Sequence, residues 1–200
     1  MQTLTWTGPI RYPGMLRFQV PADGSCLFHS LLFAYNQNYR LEGQNGRFVS
    51  WREIVKKLRQ ELSNLLASPI DPLVPSSRRY YDIIARGHLE EISKSSPQYT
   101  LKNMQKTLDS NAQIDDMYLE FIADALDKDI YILSEEKQDI YLTGKEDLYQ
   151  KGRSSIVLLY GHDHYTLIGN INGDSVTKTL FNPKEDFITR LKIRQAQLVK

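Results

Sequence analysis

The chain has 200 residues, 41% hydrophobic and 24% charged, and 25 Lys and Arg against 24 Asp and Glu leave a formal net charge of +1. This balance excludes a broad basic field able to hold nucleic acid by neutralising phosphates, and a single cysteine excludes an intrachain disulfide or a multi-thiolate zinc site. The length suits one domain with a sizeable core. With no secretory signal and no bilayer-length apolar run, a soluble monomer of the reducing cytosol is expected, with no membrane partner.

Residues 1–14, with Trp6, Pro9, Arg11 and Pro13, read as an irregular lead-in. Met15-Leu16-Arg17-Phe18-Gln19-Val20 alternates apolar and polar residues and predicts a strand. It delivers the chain to an Asp23-Gly24 turn with Ser25 as a helix cap. The helix that follows starts at Cys26, carries Leu27, Phe28, Leu31, Leu32 and Phe33 on one face, and ends near Asn36-Gln37-Asn38; Gly43 to Gly46 is a loop.

Ser50-Trp51-Arg52-Glu53 has the form of a capping box. Behind it Trp51, Val55, Leu58, Leu62, Leu65 and Leu66 recur at helical spacing, while Arg52, Lys56, Lys57 and Arg59 are expected on a solvated face. Pro69, Pro72 and Pro75 make Ser68 to Ser77 a surface connection. Arg78 to Leu89 reads as a short helix, and Glu90 to Asn111 as a polar stretch with a loose helix around Leu101, Met104 and Leu108. That stretch borders a substrate groove or is a plain surface helix pair.

A helix from Asp115 to Leu126 leads to a strand at Asp129 to Leu133 with a hairpin partner at Ile140 to Leu142. Ser154 to Tyr160 is a continuous apolar run, read as a strand covered on both faces. A turn at Gly161-His162-Asp163 returns the chain as a strand over His164 to Ile168. After Asn172-Gly173 a basic amphipathic tail, residues 173–200, is expected to pack on the domain.

Cys26 follows a turn and opens a helix, where free N–H groups and the helix dipole favour a thiolate and can face an oxyanion. The plain alternative is a small buried hydrophobe. A cysteine nucleophile needs a base with an oriented ring, and His29, His88, His162 and His164 are the only histidines. His29 shares the Cys26 helix, so its ring runs along it. His88 reads as a surface residue, His162 lies in the turn, and His164 enters a strand that can sit beside the helix end. His162-x-His164 with Asp163 also offers metal ligands, with Asp23 or Cys26 to complete a set.

Asp23-Gly24-Ser25-Cys26-Leu27-Phe28, followed far downstream by an apolar strand, a turn and His164-Tyr165, resembles the ovarian tumour (OTU) family of deubiquitinating cysteine proteases, over about Phe18 to Ile168. The resemblance implies an α/β (α+β) papain-like OTU fold with a small, mostly antiparallel central sheet flanked by helices, and assigns residues 15–172 to the protease domain. It implies Cys26 as nucleophile, His164 as base, Asp23 as the acid of the motif, and the Gly24-Ser25 loop as part of an oxyanion hole. The family commonly places Asn or Asp two residues after the histidine. Thr166 stands there, on the same face as His164, and is the candidate for orienting the ring. The implied activity is hydrolysis of isopeptide bonds at the ubiquitin C-terminus, with ubiquitin and polyubiquitin as partners and no cofactor or metal. A catalytically weak ubiquitin-binding module and a protease for another ubiquitin-like modifier are the alternatives. An oxyanion donor is worth roughly 100- to 1000-fold, against about 30-fold from complete ionisation of an ordinary thiol, so loop geometry should outweigh thiol acidity.

Overall fold

The computed structural model describes residues 1–36, 39–40, 48–171 and 177–199. The expected turns at 37–38, 43–46 and 172–173 lie outside the described residues. Among those described, seven strands form one sheet: β1 (Gln2–Thr3), β2 (Met15–Phe18), β3 (Asp129–Ser134), β4 (Asp139–Ile140), β5 (Ser155–Gly161), β6 (His164–Ile171) and β7 (Thr177–Lys178). The spatial order is β1-β2-β6-β5-β3-β4, with β7 on β6. Only β3 and β5 pair in parallel; every other pair is antiparallel. The short β1 lies inside the stretch read as irregular.

Among the described residues, the α-helices whose bounds are placed are α1 (Cys26–Tyr35), α2 (Phe48–Ala67), α3 (Leu89–Ser95), α4 (Leu101–Asp109), α5 (Leu119–Leu126), α6 (Glu146–Tyr149) and α7 (Asp186–Leu198). α2 begins at Phe48, so Ser50 falls inside its first turn and is not its cap. Residues Tyr80–Gly87 are a kinked 3₁₀ segment: Ala85 and Arg86 have φ of 53° and 57°, which no single helix accommodates. The polar stretch after it resolves into α3, one 3₁₀ turn and α4.

Side chains alternate across the strands, so the sheet buries two faces. The first face carries Leu16, Phe18, Tyr165 and Leu167 and packs with α1, α2, α4 and α5 in the larger core. The second carries Met15, Tyr131, Val157, Leu159 and Ile168 and packs against Phe187, Ile188 and Leu191 of α7. Phe181 pairs its backbone with Ser155 at 2.8 and 2.9 Å. The tail and the N-terminal segment, through Leu4, Trp6, Ile10 and Tyr12, thus share the cover of this second face. No helix among the described residues is long and apolar enough to cross a membrane.

Candidate active site

The loop from β2 to α1 is wired on all sides. Gly24 has φ of +78°, and a Cβ there would lie 2.1 Å from the Asn111 carbonyl oxygen, so conformation and close approach both demand glycine. Asp23 Oδ1 accepts from the Ser25 amide at 3.1 Å, and Oδ2 lies 3.2 Å from His29 Nε2. His29 Nδ1 is 2.6 Å from the Tyr39 hydroxyl. His29 is fully buried. Burial lowers its pKa, against the opposing pull of Asp23. Its ring spans Asp23 and Tyr39 and holds the loop.

Ser25 occupies the N-cap position without a side-chain cap bond. Its hydroxyl instead accepts from the Arg59 guanidinium at 3.0 Å. Arg59 is 1% exposed, which corrects its expected place on a solvated face; Arg52, Lys56 and Lys57 do lie there. It donates to Leu108 O at 2.8 Å, Thr107 O at 2.7 Å and Ala112 O at 2.9 Å, and its guanidinium sits 4.5 Å from the Phe28 ring centroid. Burial lowers its pKa to about 10, so it stays cationic at neutral pH. The sequence held a signal for this: Val55, Arg59, Leu62 and Leu66 share one helical face.

Cys26 opens α1 and is 3% exposed. Its Sγ accepts from the Tyr165 amide at 3.5 Å, across 139 residues of chain. Ser30 Oγ, one turn on, donates to Tyr165 O at 3.4 Å and lays α1 along β6. The thiol thus rests on the peptide directly after His164. Burial pushes the thiol pKa up, outweighing the N–H groups of Tyr165, Leu27 and Cys26 that pull it down. The expectation of an acidic thiol at a helix start is overturned, because desolvation exceeds the field of a few amides.

His164 is the first residue of β6, half-buried and paired with Gly161. His162 and Asp163 form the two-residue turn between β5 and β6, with φ of 52° and 56°, and both are exposed. Burial lowers the His164 pKa, and the positive charge of Arg17 lowers it further. Thr166 shares the face of His164 as expected, yet the two are not bonded: Thr166 Oγ1 and His164 Nδ1 are both buried without a hydrogen-bond partner among the described residues. Thr166 is therefore not the ring's acceptor. His88 is exposed. Among the described residues no group of three or more His, Cys, Asp or Glu side chains is arranged to hold a metal.

Gln113 Nε2 donates to Asp163 O at 3.2 Å, joining the segment that presses on Gly24 to the hairpin that carries His164. Two cavities flank the site. One of about 340 Å³ is lined by Asp23, Ser25, His29, Arg52 and Asn111. The other, about 350 Å³, is lined by Gln113, Asp115, Asp116, Tyr141, Tyr160 and Tyr165.

No family model matches the chain, and no curated protein does. Solved structures do. An OTU domain in complex with ubiquitin is 17% identical, with a TM-score of 0.51 over 93% of this chain and 85% of that one. The OTU domain of OTUD1 is 16% identical, with a TM-score of 0.44 over 77% and 85%. The viral OTU domain protease from Farallon virus is 14% identical, with a TM-score of 0.43 over 80% and 86%. The first of these shows the fold: the chain has the α/β fold of an OTU domain, a mixed sheet flanked by helices.

Proposed function

We propose that this chain is a cysteine-type deubiquitinase, with Cys26 as nucleophile, His164 as general base and acid, and the isopeptide bond at a ubiquitin C-terminus as substrate. The observation that supports the reading is the Tyr165 amide donating to Cys26 Sγ at 3.5 Å, which brings the thiol to the backbone that follows His164. The likeness to an OTU domain in complex with ubiquitin supports ubiquitin as partner. His164 takes the thiol proton as sulfur attacks the carbonyl carbon. The C–N bond then breaks, the amine leaves with the proton from His164, and a thioester remains. Water, deprotonated by the same imidazole, attacks that thioester and releases the carboxylate and the thiol.

Burial raises the Cys26 pKa and lowers that of His164, so both groups are favoured neutral at rest. Proton transfer therefore accompanies attack instead of preceding it. The oxyanion is received by backbone amides of the Asp23–Cys26 loop, of which the Ser25 amide is already engaged by Asp23. The single cysteine suits a reducing, cytosolic setting.

A panel of diubiquitins tests the proposal: wild type cleaves, and Cys26→Ala and His164→Ala lose nearly all turnover. A ubiquitin bearing a C-terminal electrophile should label Cys26. Binding of ubiquitin with neither cleavage nor adduct would replace the proposal with a binding module, a reading favoured by the unpartnered His164 Nδ1. Turnover of a different ubiquitin-like modifier alone would redirect the substrate.

A further inference from the structure

Five buried polar atoms without a hydrogen-bond partner among the described residues belong to the second face of the sheet: Tyr131 Oη and, toward the His164 end, His164 Nδ1, Thr166 Oγ1, Arg17 Nε and Glu135 Oε2. The register explains the gathering. Arg17 of β2 pairs with Ile168 of β6, two residues along the same face from Thr166 and four from His164. His164 pairs with Gly161 of β5. Glu135 follows β3, and its amide extends the ladder by donating to Tyr160 O at 2.8 Å. A Cβ on Gly161 would meet Glu135 Oε2 at 2.6 Å, so this carboxylate lies over the residue directly opposite His164.

Arg17 Nη1 reaches Glu135 Oε1 at 2.5 Å. β2 and β3 are separated in the sheet by β6 and β5. The ion pair must therefore cross both strands, at the end where His164 sits. We propose that this Arg17–Glu135 pair is a charged strut that sets the proton affinity of the His164 imidazole by its field, in place of an acceptor two residues along the strand. The consequence for turnover rests on the proposed function; the field itself does not.

The other groups that act on His164 are the Val20 backbone, a hydrogen-bond partner of the ring, and the Asp23 carboxylate, both of which favour its protonated form; His162 and Asp163 precede it in the hairpin. Asp23 is engaged by Ser25 and His29, and Asp163 Oδ1 accepts from the Tyr160 hydroxyl at 2.8 Å. After burial, Arg17 is the largest influence on His164 and opposes its protonation. Gly161 also gains a reason: any side chain there would expel the Glu135 carboxylate.

The test is an imidazole NMR titration of His164 in wild type, Arg17→Met, Glu135→Gln and the double variant, with the resonance assigned by His164→Asn. An uncompensated unit charge within about 10 Å moves a pKa by about 1 unit. The His164 midpoint should rise in Arg17→Met, where an uncompensated carboxylate remains. It should fall in Glu135→Gln, where an uncompensated guanidinium remains, and return near wild type in the double variant. The acid limb of kcat/KM on a fluorogenic ubiquitin substrate should move the same way. Shifts in one common direction, or none, would overturn the proposal. If Arg17→Met does not fold, Glu135→Gln and the charge-conserving Arg17→Lys, expected to titrate like wild type, still decide. A wild type that hydrolyses nothing defeats the deubiquitinase reading and leaves the titrations to judge the strut.

Discussion

The two halves of the candidate site are built on opposite principles. On the cysteine side, Asp23, Ser25, His29, Tyr39 and Arg59 are joined by hydrogen bonds, and Gly24 is pinned against Asn111. On the histidine side, the imidazole Nδ1 has no hydrogen-bond partner among the described residues, the ring's hydrogen bond is to the Val20 backbone, and the charge of Arg17 acts from a distance. Under the proposed function, the contrast follows from what each half would have to hold. An oxyanion loop works by fixed geometry, where donors displaced by a fraction of an ångström lose most of their effect. A base must gain and lose a proton within one turnover, and a strong acceptor would lock it in one state.

The largest effect should come from breaking the wired half. Arg59→Ala leaves three backbone carbonyls and the Ser25 hydroxyl without their donor, and is expected to cost about 3–5 kcal/mol in denaturant unfolding. Gly24→Ala should follow at about 1–3 kcal/mol, from a strained φ and the collision with Asn111 O. It should also abolish labelling of Cys26 by the ubiquitin electrophile under conditions where the protein remains folded. Full labelling would show that the loop does not need its geometry.

Two titrations sharpen the comparison. Burial raises the Cys26 pKa above its ordinary 9.0, so its thiolate fraction at pH 7 lies below that of a free cysteine. Alkylation by iodoacetamide should be slow at pH 7 and climb beyond pH 9; a plateau near neutrality would reveal a preformed ion pair with His164. His29 and His164 both have lowered pKa values in the fold. Their unfolded forms therefore bind protons more readily. The stability they contribute is complete above their ordinary value of 6.5 and is lost as pH falls from there to the folded values. The melting temperature should drop from pH 7 to pH 5, and less so in His29→Gln if that variant folds.

The smallest effect is expected at Thr166. Its hydroxyl is buried without a partner among the described residues, so Thr166→Val should leave stability unchanged or raise it by up to about 1 kcal/mol. Turnover should fall far less than in His164→Ala. A loss of equal size would make Thr166 the ring's orienting group after all.

Strands β3, β5 and β6 and helices α1 and α2 were legible in the sequence, because alternation, continuous apolar runs and helical spacing are local properties of the chain. So were the Asp23–Cys26 turn and the two-residue hairpin ahead of His164. The kink at Ala85 and Arg86 was not: its left-handed residues are neither Gly nor Asn, and Glu120, 35 residues away, accepts the Ala85 amide at 2.7 Å. The integration of the tail was only half visible, since an amphipathic helix declares that it packs without declaring on what.

By itself the sequence determined which residues could do chemistry and in what order they occur along the chain. Only the tertiary structure decided their company. Arg59 is buried because carbonyls 48 to 53 residues away replace its water. The thiol is desolvated because β6 lies over it. Arg17 acts on His164 because its ion pair with Glu135 joins strands on either side of β6 and β5. Protonation and charge depend on distance through space and on excluded water, neither of which a linear pattern encodes.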